Sequence, residues 1–406
     1  MNFDNLEVLS PAGSFESLRA AVDYGADAVY LGGQSFGMRA GPENFTYDSL
    51  KSAVELSHSK GVKVYLTCNT LPRNNEIPNF RQFIEEADDC GVDAVIVADL
   101  GLLSLVKEYC PDMEVHMSTQ TGIVNYVTAR ELYNMGVKRV VAARELSLEE
   151  ISEIRAKTPA ELDIEAFVHG AMCVSFSGRC LLSQYLVNRD ANRGECAQPC
   201  RWSYSLMEET RKGEYYPIME DGSGTYILNA KDLCMIEHLD KVARAGITSF
   251  KIEGRAKSSY YVSIVTNAYR MAVDILKQNP DNYKLPQWVL DEVFKVSHRA
   301  YCTGFFFGHP KDCQYYKNSG YIREYDVVAI VDECKDGVLY CTQRNKFFKG
   351  DELEIIAPGE HFDTFRAEEL YNGDGEPIES ANHAMMKLRI PFGKEYPPNS
   401  IIRIKR

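Results

Sequence analysis

Short runs that are apolar at nearly every position recur along the first two thirds of the chain, each followed by a stretch of helical period. The runs are Glu7–Pro11, Ala28–Leu31, Val62–Thr67, Ala94–Ala98, Glu114–Ser118, Arg139–Ala143, Asp163–Val168 and Ser249–Glu253. Continuous apolarity predicts strands covered on both faces, as in a parallel sheet. The intervening amphipathic segments Ser14–Tyr24, Asp48–Ser59, Asn79–Cys90, Thr121–Met135 and Ser147–Ala156 predict helices. Ser147 and Glu150 stand at capping-box spacing. Gly25, Gly61, Gly91, Gly136 and Gly246 close helices before the next strand. Eight such units within about 280 residues predict a (β/α)8, TIM-like α/β barrel. The rival is an open doubly wound sheet, but no G-x-G-x-x-G follows the first strand.

The spacing is uneven in one place. Roughly 80 residues separate the seventh and eighth strands, so an insertion there emerges at the C-terminal mouth, where such barrels place their sites. Beyond the eighth strand, Ser258–Leu276 and Trp288–His298 have helical period. The texture then changes to short alternating runs broken by turn residues: Asp326–Val331, Gly337–Thr342, Asp351–Ile356, Met386–Ile390 and Ser400–Ile404. These predict a small antiparallel β-barrel. The expected domains are therefore a barrel over residues 1–310, with an insertion near 171–234, and a small domain over 320–406.

The 406-residue length suits two domains, and 45% hydrophobic content suffices for a core. No apolar run is long enough to span a bilayer, so no membrane partner is expected. The start lacks the basic flank and apolar stretch of a signal peptide, so the expected compartment is the cytoplasm. A net charge of −13 argues against broad affinity for nucleic acid but leaves room for a local basic groove.

The insertion holds the chain's densest chemistry. Cys173 and Cys180 form C-x6-C, Cys196 and Cys200 form C-x3-C, and Cys234 follows at the head of an expected helix. Thiols in a reducing compartment are not a disulfide framework. Gathered from several loops, they point to zinc or an iron–sulfur centre, and spacing does not choose between these. Other cysteines, Cys68, Cys90, Cys110 and Cys341, lie in apolar runs and read as core.

Strand ends also carry polar groups that a structural strand does not need. Asn69 and Thr70 end strand three, Asp99 ends strand four, and Arg144 and Glu145 end strand six. By the period of two, His116, Ser118 and Gln120 share a face of strand five; Glu165, Phe167 and His169 share one of strand seven; Lys251, Glu253 and Arg255 share one of strand eight. Cations converging on a mouth suit an anionic small molecule, and carboxylates suit proton transfer. Any one of these residues could serve an internal salt bridge; so many strands contributing argues for a site. No H-E-x-x-H, G-x-S-x-G or P-loop is present, which weakens a simple hydrolase reading.

The stretch from Glu165 to Ser183, EAFVHGAMCVSFSGRCLLS, closely resembles the signature of peptidase family U32, the collagenase-like proteases. Supporting segments are LSPAGSFESLRAAVDYGADAVYLGG, HMSTQ, RELSLEEI, NRGECAQPCRW, ILNAKDLC and FKIEGRAKS, and the resemblance runs over about residues 6–310. It implies either proteolysis or oxygen-independent hydroxylation. The closest branch acts on a tRNA wobble uridine, making 5-hydroxyuridine with prephenate as co-substrate. The resemblance also implies a 4Fe–4S cluster on Cys173, Cys180, Cys196 and Cys234, with Cys200 as one thiol too many, able to replace Cys196 or to act as a redox-active neighbour.

An all-cysteine cluster leaves no open position for hydrolytic water but can transfer electrons, which favours hydroxylation. Arg189, Arg193 and Arg201 beside Trp202 and Tyr204 suit a flipped-out base in a single-stranded loop. The expected machinery is Glu165, His169 and Glu253 for catalysis, with Asn69, His116, Gln120, Arg144, Lys251 and Arg255 holding substrate. The alternatives are a U32 peptidase or a non-catalytic subunit paired with a paralogous chain.

Overall fold

In the computed structural model the described residues are 3–38, 44–173, 175, 180–191, 194–202, 205–206, 216–217, 230–309 and 321–406. Seven parallel strands, β1 (Glu7–Pro11), β2 (Ala28–Gly32), β3 (Lys63–Cys68), β4 (Ala94–Val97), β5 (Glu114–Met117), β6 (Arg139–Val141) and β7 (Asp163–Ala171), pair in chain order. Strand β11 (Ser249–Ile252) closes the barrel by pairing with both β7 and β1. Helices α1 (Phe15–Asp23), α2 (Tyr47–Ser59), α3 (Phe80–Asp89), α4 (Leu100–Tyr109), α5 (Tyr126–Asn134) and α6 (Leu148–Ala156) alternate with the first seven strands. The protein is thus a closed, eight-stranded TIM-like barrel, as the apolar runs predict.

Local signals account for the helix ends. Ser147 accepts from the Glu150 amide, and Glu150 bonds back, completing the capping box. The five helix-ending glycines all adopt φ between 74° and 95°, a region that penalises a Cβ. Helix α4 has no counterpart among the expected helices, because its LGLLSLV run is apolar on every side of a helical wheel. Asp99, read from sequence as a mouth residue, is its N-cap and accepts from the Leu102 amide.

Between β7 and β11 the chain forms α7 (Leu182–Val187), a short hairpin β8 (Ser205–Leu206) with β9 (Tyr216–Pro217), strand β10 (Asp232–Cys234) and α8 (Leu239–Arg244). Cys234 therefore ends a strand rather than opening a helix. Its strand runs antiparallel to the upper part of β7, with Cys234 opposite His169. After β11 come α9 (Ser259–Gln278), α10 (Gln287–Phe294) and β12 (Tyr301–Cys302), which pairs with β10. Arg299, just before β12, clasps Asp232 at 2.7 Å with both side chains buried, fixing β10 over the barrel rim.

The C-terminal domain comprises β13 (Tyr325–Lys335), β14 (Val338–Gln343), β15 (Phe347–Phe348), β16 (Glu352–Ile356), β17 (Asp363–Arg366), β18 (Tyr371–Asn372), β19 (Ser380–Ala381), β20 (Lys387–Pro391) and β21 (Ile401–Lys405). Seven of these strands form one antiparallel half-barrel sheet, ordered β17-β16-β21-β13-β14-β20-β18, and β15 pairs with β19. The sheet has its own apolar core around Val328, Leu339, Leu353 and Ile402. It docks on α9 and α10 through Arg403, fully buried and bonded to Glu292 at 2.6 and 2.8 Å and to Glu354.

Candidate active site

The barrel interior is polar at its lower end. Glu7 accepts from Arg139 at 2.6 Å, from Tyr65 at 2.6 Å and from Ser249 at 2.7 Å. Arg139 also reaches Glu165 at 3.4 Å, and Glu165 accepts from Lys251 at 2.6 Å. Burial pushes the Glu7 carboxyl up, but the Arg139 charge and its three donors outweigh this and hold it at about 2. This chain of alternating charges climbs the axis from Glu7 to Lys251.

Lys251 is where the network meets the mouth. Above it opens a cavity of about 640 Å³ whose wall includes Thr67, Asn69, Gln120, Arg144, Glu253 and Arg255. The Lys251 ammonium lies 4.5 Å over the Tyr30 ring, and the Arg144 guanidinium 3.8 Å over Phe167. Arg144 donates to the Ala171 carbonyl at 2.7 Å and pairs with Glu253 at 3.4 Å. Arg255 donates to the Thr67 hydroxyl at 2.8 Å. Backbone packing makes this convergence possible. A Cβ on Gly170, which has φ of 103°, would stand 2.4 Å from the Glu253 carbonyl oxygen, and one on Gly13 would stand 1.8 Å from that of Arg255.

Six of the nine expected catalytic and substrate-binding residues thus share the cavity: Asn69, Gln120, Arg144, Lys251, Glu253 and Arg255. Three do not. Glu165 is sealed beneath the floor and reaches the mouth only through Lys251. His116 shares its strand face with Ser118, but lies about 7 Å deeper at the usual strand rise. There it bonds Glu114 at 2.9 Å and packs its ring on Tyr65. His169 departs because β7 carries a bulge. Phe167 pairs with Lys251, yet His169 pairs with Ile252, so the period of two slips by one residue. The His169 ring sits among Tyr261, Tyr269 and Tyr301 instead. Burial drives its pKa down to about 3, so it is neutral at physiological pH and is not an imidazolium acid.

Three aromatic residues of the cavity wall, Tyr30, Tyr261 and Tyr321, escaped the sequence reading. Tyr30 and Tyr261 line the cavity but stand in a strand and a helix whose patterns read as core. Thr67 also lines it, one position inside the end of β3, whereas Thr70 turns away to the Phe36 carbonyl.

The cysteines divide in the same manner. Cys173, Cys180, Cys196 and Cys200 line the cavity; Cys234 does not. Cys234 is hydrogen-bonded to Tyr269 behind β7, and burial raises its thiol to about 12. Burial also raises Cys173, whose neighbours include Cys180 and Cys196. The Cys196 sulfur accepts from the Gln198 amide at 3.3 Å. Among the described residues, no three His, Cys, Asp or Glu side chains stand at metal-ligand spacing. Four thiols lining one cavity nonetheless form the donor set an iron–sulfur centre uses. Arg189 and Trp202 are exposed on the insertion. Arg193 and Tyr204 fall outside the described residues, as does the Arg201 side chain.

Among the described residues, no helix is long and apolar enough to cross a membrane. The profile of peptidase family U32 matches residues 13–315, and that of the U32 C-terminal domain matches residues 323–403. The chain is 36% identical to tRNA hydroxylation protein P1 of Bacillus subtilis, covering 98% of this chain and 94% of that one. It is 35% identical to tRNA hydroxylation protein P of Escherichia coli, covering 95% and 94%. An uncharacterized protease of Methanocaldococcus jannaschii is 43% identical over 74% of this chain and 73% of its own. With both domains matched in order, the chain belongs to peptidase family U32.

Proposed function

We propose that this protein hydroxylates a wobble uridine of tRNA to 5-hydroxyuridine, with a small carboxylate such as prephenate as oxygen donor. The observation that carries the reading is the likeness to tRNA hydroxylation proteins across both domains, nearly end to end. The mouth supports it. Lys251, Arg144 and Arg255 face one cavity of about 640 Å³, a size suited to a small dicarboxylate beside one extruded base. In that cavity the cations bind and orient the carboxylates, and Tyr30 and Phe167 wall off water. Of the three candidate acid–base groups, Glu253 alone reaches the cavity, where it pairs with Arg144 and is the carboxylate placed for proton transfer.

Cys173, Cys180 and Cys196 would hold a 4Fe–4S cluster, with Cys200 or Cys234 as the fourth ligand; when bound, the cluster supplies electron transfer. Cys200 lines the same cavity as the other three, which supports it as the fourth ligand. Peptide hydrolysis, the activity in the family's name, draws on a nucleophile with an oriented base. No histidine is among the described residues lining the cavity. Expression of the full chain in a host whose tRNA lacks 5-hydroxyuridine tests the proposal. Appearance of that nucleoside supports it; cleavage of gelatin with unaltered tRNA overturns it.

A further inference from the structure

A second cavity, of about 820 Å³, lies between the barrel and the C-terminal sheet. Its walls come from α1 (Phe15, Arg19), the start of α9 (Ser259, Tyr260) and the sheet (Tyr325, Arg344). Ser258 and Ser297 line both this groove and the mouth. Two stretches of chain also run from one to the other. Lys257 lines the mouth while Ser259 and Tyr260 line the groove, and Tyr321 lines the mouth while Arg323 and Tyr325 line the groove. The two cavities therefore adjoin at Ser258 and Ser297.

We infer that this groove is a second RNA-binding site, which receives the single-stranded nucleotides flanking the one held in the mouth. The inference rests on the tRNA reading above and extends it. A base extruded into a pocket carries its neighbours' backbone with it, and that backbone must leave along the surface. The groove offers what unpaired RNA uses: aromatic rings for stacking and guanidinium groups for the backbone. The acids lining it are already engaged. Glu16 accepts from Arg344 and from Ser259, both at 3.1 Å. Asp23 accepts from Asn399 at 2.8 Å, and Asp332 from Lys387 at 3.0 Å. Arg19 lies 5.9 Å from the Phe15 ring centroid and makes no ion pair among the described residues. Positive and negative groups balance in this groove, so binding rests on stacking together with backbone contacts from Arg19 and Arg344, and its salt dependence is shallow. The buried Arg403–Glu292 clasp holds the two walls at a fixed separation.

Fluorescence anisotropy on the full-length protein tests this with two labelled RNAs, a uridine trinucleotide that fills only the mouth and an unstructured decanucleotide. The decanucleotide binds about tenfold more tightly than the trinucleotide, and the double variant Arg19→Ala/Arg344→Ala removes that gain while leaving trinucleotide affinity unchanged. Both side chains are on the surface, and an unaltered melting curve confirms that the variant is folded. Equal affinity for the two RNAs overturns the groove but not the tRNA reading, as does a variant that binds the decanucleotide like the parent. Displacement of the decanucleotide by gelatin peptides assigns the groove to polypeptide and overturns the inference. Failure to bind either RNA overturns both readings together.

Discussion

The Lys251 ammonium stands 2.6 Å from a Glu165 carboxylate oxygen, and both side chains are almost closed to solvent. Glu165 is shared with Arg139, so it steadies the one cation that joins the buried network to the mouth. Replacing Glu165 by Gln leaves Lys251 and Arg139 short of a counter-charge. Loss of one partner from a buried pair costs about 3–5 kcal/mol, read by chemical denaturation. Prephenate affinity, read by calorimetry, falls in the same variant because Lys251 is no longer held over Tyr30. Unchanged stability and affinity would remove Glu165 from any supporting role.

The lower end of the network predicts an acid response. The Glu7 carboxyl is held at about 2 against an ordinary value of 4.5. Its stabilising contribution is complete above 4.5 and is lost as the pH falls toward 2. That contribution is on the order of 3 kcal/mol. Wild-type stability should therefore fall more steeply than that of Glu7→Gln across this window, measured by urea unfolding at a series of pH values. Parallel curves would show that Glu7 is not the titrating group.

Much of this was legible in the sequence, and the failures have specific causes. Apolar runs located all eight barrel strands, because strands covered on both faces carry few polar positions. Asn69 and Arg144 followed from their place at strand ends, and Gln120, Lys251, Glu253 and Arg255 from the period of two. That rule failed for His169, because a bulge is a backbone event that side-chain pattern does not reveal. It failed for His116 because pattern gives the face of a strand but not the depth along it. Tyr30 and Tyr261 were invisible since an aromatic residue in a strand or helix reads the same in a core as in a cavity wall. Cys234 was grouped with the other cysteines by motif, whereas the fold places it behind β7.

Arg403 joins the domains. It is fully buried, with Glu292 and Glu354 as partners. Arg403→Met leaves Glu292 with Lys295 alone, at 3.1 Å, and should cost about 3 kcal/mol. Limited proteolysis should then release the C-terminal sheet, which has its own core, faster than in the parent. A variant with wild-type stability and cleavage rate would show that the apolar contacts suffice for docking.

The cysteine geometry yields a prediction with a spectroscopic reading. Purified without oxygen, the protein contains iron and sulfide. Cys173→Ala, Cys180→Ala, Cys196→Ala and Cys200→Ala lose both, whereas Cys234→Ala retains them. Iron lost from Cys234→Ala and kept in Cys200→Ala would restore the ligand set implied by the family resemblance. Stoichiometric zinc without iron would exclude the cluster.

The most direct test of the central claim is the nucleoside content of bulk tRNA, measured by mass spectrometry in cells lacking this gene and any paralogue with the same activity. The account predicts that 5-hydroxyuridine and its derivatives disappear, that the wild-type gene restores them, and that Cys173→Ala and Lys251→Met do not. Unchanged nucleosides in that background, together with proteolysis by the purified protein, would contradict it.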